Sequence, residues 1–118
     1  MAAMPRGAPR ICDYRAKWVP GSEEYARTVP RCPAPLARAE EARVKKAALA
    51  AYGALSCDGY ARVDMRLARD GVPYVLEVNP NPCIAPDAGL ARSAAAAGMA
   101  YPDLICRIAD AAPPRGRG

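Results

Sequence analysis

Residues 60–79 read YARVDMRLARDGVPYVLEVN, and this stretch carries the clearest secondary-structure pattern in the sequence. Apolar and polar residues alternate over 60–68 and again over 73–79, which is the pattern of two half-buried β-strands. Asp70-Gly71 lies between the two runs, and Asp-Gly flanked by alternating residues is the strongest short-range signal of a β-hairpin. The stretch therefore predicts an antiparallel pair of strands.

The predicted turn determines which side chains face each other across the hairpin. A two-residue turn places Asp64 opposite Glu77. It also places Arg62 opposite Asn79, and all four side chains then share one face. Opposed carboxylates repel each other, so a cation between them is one interpretation. Two carboxylates and an amide oxygen suit Mg²⁺ or Mn²⁺. Because so few protein ligands leave coordination positions for water and phosphate oxygens, such a site implies a phosphate-bearing partner. The other interpretation is an ordinary solvated strand face on which arginines relieve the repulsion.

The rest of the chain predicts helices and loops around this hairpin. The expected elements are a strand over 11–18, a long loop over 19–35, and helices over 36–55, 90–97 and 101–112. Gly98 suits the end of the second helix, because glycine adopts a positive φ easily. Residues 1–10 and 113–118 are rich in Gly, Ala, Pro and Arg and are expected to be disordered. The predicted class is α+β, with helices packed on an antiparallel β-sheet.

Composition excludes several classes of function. The chain has 118 residues, 27 alanines and no phenylalanine, so we expect one domain with a thin apolar core. The net charge is +5, but residues 11–112 hold 13 basic and 12 acidic side chains, which argues against a nucleic-acid partner. No apolar run reaches the roughly 20 residues of a membrane span, so no membrane partner is expected. Five widely spaced cysteines and the lack of histidine argue against a zinc site and favour a reducing cytoplasm.

The hairpin also carries a specific motif, an Arg-x-Asp in YARVD at 60–64 and a Glu-x-Asn in GVPYVLEVNPNP at 71–82. Three further stretches accompany it: DYRAKW at 13–18, CPAPL at 32–36 and GMAYPDLI at 98–105. Together these stretches resemble the carboxy-terminal half of the ATP-grasp ligases, and most closely the D-alanine–D-alanine ligase group. The resemblance covers roughly residues 11–112, so this range is predicted to be the carboxy-terminal part of an incomplete ATP-grasp domain.

This resemblance implies an ATP-dependent ligase that joins a carboxylate to an amine through an acyl phosphate. It implies that Asp64, Glu77 and Asn79 hold the Mg²⁺ (or Mn²⁺) that bridges ATP phosphates, in agreement with the hairpin argument. It also implies that Arg62 is catalytic and stabilises the oxyanion formed when the amine attacks.

The resemblance assigns roles to residues before the hairpin as well. Lys17 would contact phosphate oxygens, although its position alone favours an ordinary solvated lysine on a strand. Gly21, Ser22 and Glu23 would form the mobile lid loop that excludes water from the acyl phosphate.

The sequence departs from the ligases in length and in one loop. The ligases are two or three times longer, so the implied partners are ATP, a small carboxylate, a small amine and the missing amino-terminal half of the ligase. We expect the chain alone to be inactive. Cys83 and Ala88 stand where dipeptide-forming ligases have a glycine and a serine, which leaves the acid and the amine open. A non-catalytic, truncated ATP-grasp module that binds a partner is the alternative function.

Overall fold

The computed structural model describes residues 19–112, which divide into two compact units, 19–31 and 32–112. The predictions for 1–18 and 113–118 lie outside the described residues, and they include the first strand and both disordered ends. In the described part of the chain, no helix is long and apolar enough to cross a membrane.

The first unit contains a short helix that the sequence pattern did not predict. Helix α1 spans Glu23–Arg27. The Oγ atom of Ser22 accepts the backbone N–H of Tyr25 at 3.1 Å, and Glu23 forms an ion pair with Arg27 one turn later. The prediction of an irregular loop over 19–35 is therefore wrong for this turn. Serine followed by acidic residues is a helix-start signal that could have revealed it.

The second unit has the predicted α+β arrangement. Within residues 32–112 the elements in chain order are α2 (Arg38–Ala54), β1 (Arg62–Leu67), β2 (Pro73–Asn79), α3 (Gly89–Ala96) and α4 (Tyr101–Asp110). The two strands form an antiparallel sheet. Helix α2 packs against both strands, and α3 packs against α4. All of these elements lie close to their predicted bounds.

Local hydrogen bonds fix the ends of the helices. Helix α2 begins where the Ala37 N–H donates to Glu40 Oε2 at 2.9 Å. Helix α3 ends where the Met99 N–H donates to the Ala94 carbonyl at 2.9 Å and Gly98 takes a φ of 83°. This is a Schellman motif, so Gly98 ends α3 as predicted.

The hairpin loop has three residues rather than the predicted two. The Ala68 N–H donates to the Val72 carbonyl at 2.9 Å, and the Gly71 N–H donates to the Ala68 carbonyl at 3.0 Å. The loop is therefore Arg69–Gly71. Gly71 has a φ of 78°, which is typical of a three-residue loop that ends in a left-handed residue. The predicted two-residue turn is wrong, because an Asp-Gly pair suits both loop lengths.

A β-bulge in β2 nevertheless restores the predicted pairs. Near the loop, Met65 lies opposite Val75, whereas beyond the irregularity Asp64 lies opposite Glu77. Leu76 is therefore the additional residue of the bulge. The longer loop and the bulge each shift the register by one residue, and the two shifts cancel.

The bulge also changes the faces to which β2 residues point. Tyr74 lies opposite Arg66, and Val78 lies opposite Val63. Paired residues share a face, and Arg66 and Val63 are three positions apart on a strand without a bulge. Tyr74 and Val78 therefore point to opposite faces. Unbroken alternation over 73–79 would have placed Tyr74 and Val78 on one face, so the predicted alternation is wrong at the bulge.

The apolar core is as thin as the composition predicts. In residues 32–112 the buried apolar side chains are Pro82, Ala91 on α3 and Leu104 on α4, the last two with 7% and 8% exposed. Larger apolar side chains remain exposed, including Leu49 on α2 at 73% and Leu76 on β2 at 67%. The second unit therefore leaves apolar surface uncovered on both its long helix and its sheet.

Replacing Gly71 by alanine is expected to lower the free energy of unfolding by about 1–2 kcal/mol, because a side chain at a φ of 78° is strained. The new Cβ would also meet the Arg43 guanidinium, which is the end of a flexible side chain and can move. Gly53→Ala is the matched control, since Gly53 lies inside α2 with open space around it and should gain about 1 kcal/mol. Thermal unfolding measures both shifts. A Gly71→Ala variant as stable as the parent would show that residue 71 has no positive φ in solution.

Candidate functional site

The open end of the hairpin gathers four polar side chains. Arg62 lies opposite Asn79, and Asp64 lies opposite Glu77. Residues two apart on one strand share a face, so all four side chains lie on the same face of the sheet. The structure therefore brings together the residues that the sequence singled out, although the predicted turn was wrong.

Arg62 and Asp64 form a bidentate ion pair. Arg62 Nε donates to Oδ1 at 2.7 Å, and Nη2 donates to Oδ2 at 3.0 Å. This hydrogen bonding raises the pKa of Arg62, burial acts in the opposite direction, and the negative charges of Asp64 and Glu77 raise it further. The guanidinium thus stays charged at neutral pH and offsets part of the repulsion between the two carboxylates. The repulsion between Asp64 and Glu77 therefore does not by itself indicate a metal ion between them.

Two residues that the sequence analysis did not single out lie beside Asn79. The backbone N–H of Asn81 donates to Asn79 Oδ1 at 2.9 Å, which closes an Asx turn. The Tyr60 hydroxyl donates to Asn81 Oδ1 at 3.0 Å. The Asx turn has a local signal, an asparagine at the start of a Pro-containing turn. The Tyr60 contact joins residues 21 positions apart, so no local pattern reveals it.

The donor atoms on this face fit a divalent cation. Asp64 and Glu77 offer carboxylate oxygens and Asn79 offers an amide oxygen, which are ligands that Mg²⁺ and Mn²⁺ prefer. The Arg62 hydrogen bonds occupy one acceptor position on each Asp64 oxygen and leave a second. Among residues 19–112 no three acidic, cysteine or histidine side chains form a metal-binding group, so a cation here would use the amide oxygen as well.

The remaining predicted site residues belong to the unit 19–31 or lie outside the described residues. Gly21, Ser22 and Glu23 form the start of α1 in the unit 19–31, where Ser22 is buried with 8% exposed. Lys17 lies outside the described residues. The roles of lid and phosphate contact stay predictions.

Comparison with known proteins identifies the family. The family model described as "D-ala D-ala ligase C-terminus" matches residues 4–110. The chain belongs to this family. It is thus a carboxy-terminal ATP-grasp segment, and the family and the fold class predicted from the hairpin motif are confirmed.

Individual relatives agree with this assignment. A D-alanine–D-alanine ligase of Clostridium botulinum (strain Alaska E43 / Type E3) is 40% identical over 99 residues, which cover 83% of this chain and 31% of that ligase. A D-alanine–D-alanine ligase of Anaeromyxobacter sp. (strain Fw109-5) is 40% identical over 105 residues, 89% of this chain and 32% of that ligase. The crystal structure of the Bacillus anthracis D-alanine–D-alanine ligase complexed with ATP matches with a TM-score of 0.63 and 45% identity, over 66% of this chain and 27% of that chain. The chain therefore spans about a third of the length of the curated relatives it matches.

Proposed function

We propose that this chain contributes the Mg–ATP phosphate site of an ATP-dependent carboxylate–amine ligase. One observation carries the proposal, namely the register that sets Asp64 opposite Glu77 and Arg62 opposite Asn79 on one face. Membership of the D-alanine–D-alanine ligase family supports the reaction class. The solved relative in complex with ATP supports the nucleotide.

In the proposed reaction, the terminal phosphoryl group of ATP passes to the carboxylate and gives an acyl phosphate and ADP. The amine then attacks the acyl carbon, loses a proton and displaces inorganic phosphate, which leaves an amide. Asp64, Glu77 and Asn79 would hold the magnesium, which when bound neutralises phosphate charge during the transfer. Arg62 would donate to the oxygen that becomes negative when the amine attacks.

Parts of the ligase beyond the hairpin also take part in the proposed reaction. Lys17 contacts phosphate oxygens, and the segment of Gly21, Ser22 and Glu23 closes over the acyl phosphate. The amino-terminal part of a ligase completes the nucleotide cleft, and a small carboxylate and a small amine are the substrates. We place this reaction in the cytoplasm, which supplies the ATP.

Millimolar Mn²⁺ or Mg²⁺ is expected to raise the melting temperature of the chain. The stabilisation is about 1.4 kcal/mol at a metal concentration ten times the dissociation constant. Asp64→Asn and Glu77→Gln should each remove this response, because each removes one anionic ligand. Asp70→Asn is the control: its Oδ1 accepts the Val72 N–H at 3.1 Å, which asparagine can also do, and it lies at the other end of the hairpin. Differential scanning fluorimetry with and without metal measures all four proteins. A full response in the Asp64 and Glu77 variants would contradict the proposed site.

The alternative is a module that binds a partner without catalysis. The exposed apolar side chains Leu49 and Leu76 favour it, since uncovered apolar surface suits a protein partner. This alternative predicts that the melting temperature of the parent chain does not respond to Mg²⁺, so the same measurement separates the two functions.

A further inference from the structure

Tyr60 and Asn81 connect the two ends of the hairpin beside the candidate metal ligands. Tyr60 precedes β1 by two residues, and Asn81 follows β2 by two residues. The Tyr60 hydroxyl donates to Asn81 Oδ1 at 3.0 Å, and the Asn81 N–H donates to Asn79 Oδ1 at 2.9 Å. Two successive hydrogen bonds thus run from the phenol of Tyr60 to the amide oxygen of Asn79.

The hydrogen bond from the Asn81 N–H to Asn79 Oδ1 determines how the Asn79 amide is oriented. The terminal torsion of asparagine is broad, so the side chain alone does not choose between its oxygen and its nitrogen. The Asn81 N–H donates to Asn79 Oδ1 at 2.9 Å. Because this donor requires an acceptor, the Asn79 side chain turns its oxygen towards Asn81 and its NH₂ group away from it. The orientation of Asn79 therefore depends on where the backbone of residue 81 lies.

The hydrogen bond from the Tyr60 hydroxyl to Asn81 Oδ1 holds the backbone of residue 81 in place. Pro80 has a fixed φ, so few torsions separate Asn79 from Asn81. The Asn81 side chain is exposed, and the Tyr60 hydroxyl gives it a fixed partner. Tyr60 also lines a cavity of about 250 Å³ together with Pro80 and Ile108.

We propose that Tyr60 is a positioning residue for the Asn79 amide oxygen and thereby raises the affinity of the site for a divalent cation; the part that concerns the cation rests on the proposed function. Partners that orient a metal ligand commonly change metal affinity by about 10–100-fold. Tyr60 acts through Asn81 and not on Asn79 directly, so its effect belongs at the lower end of that range.

The test uses Tyr60→Phe in the full chain, because phenylalanine keeps the ring against the cavity and removes only the hydroxyl. Tyr52→Phe is the matched control: its hydroxyl donates to the backbone carbonyl of Gly59, next to Tyr60, at 2.8 Å, so this change removes a tyrosine hydroxyl bond but keeps both hydrogen bonds between Tyr60 and Asn79. Titration with Mn²⁺ alone measures affinity. We expect about tenfold weaker binding for Tyr60→Phe and for Asn81→Ala, and less than a twofold change for Tyr52→Phe. The double variant should bind no more weakly than Asn81→Ala, since both changes break the same path.

A second readout separates this proposal from the proposed function. The side-chain NH₂ signals of Asn79 in nitrogen-15 NMR spectra report its orientation without any metal. Tyr60→Phe should shift these signals, whereas Tyr52→Phe should not. If Asn79→Ala abolishes Mn²⁺ binding and Tyr60→Phe leaves both the affinity and the signals unchanged, the positioning role is overturned. If the parent chain binds no Mn²⁺, the proposed function fails, and the NMR signals alone decide whether Tyr60 orients Asn79.

Discussion

Replacing Arg62 by alanine is expected to lower the turnover of an active ligase by about 10²–10³-fold, equivalent to about 3–4 kcal/mol of transition-state stabilisation. The expected cause is the loss of a donor to the oxyanion that forms during amine attack. Nucleotide affinity should change far less, because this contact is made mainly in the transition state. Arg62→Lys should restore only part of the rate, since lysine supplies charge but not the planar fork that now holds both oxygens of Asp64.

The assay requires a complete nucleotide cleft. A chimera in which this chain replaces the matching segment of the Bacillus anthracis ligase provides one, and release of inorganic phosphate from ATP reports its turnover. Arg66→Ala is the matched control, because Arg66 lies on the same strand and by alternation on the same face as Arg62. Turnover of the Arg62→Ala chimera within about threefold of its parent would mean that Arg62 only balances the charge of Asp64.

Leu104→Ala should lower the free energy of unfolding by about 2–4 kcal/mol, the largest loss we expect from truncating an aliphatic side chain in residues 32–112. Leu104 is 8% exposed, and the other buried apolar side chains in residues 32–112 are the smaller Ala91 and Pro82. For a domain of this size, each kcal/mol lowers the melting temperature by about 4–8 °C.

Leu49→Ala is the control for Leu104→Ala, because the same truncation at a 73% exposed position should change stability by less than about 0.5 kcal/mol. Urea unfolding of both variants, followed by circular dichroism, compares them. Equal losses at the two positions would show that Leu49 is buried in solution, which would place a second molecule or segment against α2.

The sequence predicted the pairing at the open end of the hairpin correctly, but for a partly wrong reason. Alternation located both strands, and the Asp-Gly pair located the loop. The predicted loop was one residue too short, and the bulge at Leu76 compensates for this difference, so that Asp64 still pairs with Glu77. The two errors have different physical origins: Asp-Gly suits loops of two and three residues, and a bulge depends on the packing of the whole hairpin rather than on the residues within it.

Other failures have local causes. The α1 turn was missed because prolines and glycine around it indicated a loop, which hid the Ser22 cap. Leu55 lies inside the helix predicted over 36–55, yet α2 ends at Ala54 and Leu55 is 63% exposed. The Tyr60–Asn81 contact was invisible because it joins two segments that only the folded hairpin brings together.

Because the two register shifts in the hairpin cancel, the strand pairing at its open end does not depend on the pairing near its loop. A two-residue loop without a bulge needs the same number of residues between Asp64 and Glu77 as the observed three-residue loop with a bulge. Both arrangements therefore keep the pairs at the open end. Only the segments 65–69 and 72–76 would change partners, and Tyr74 and Val75 would exchange faces. A slip of the tip by one position would thus leave the polar end in register, and its effects would be confined to the half of the hairpin that holds none of the proposed site residues.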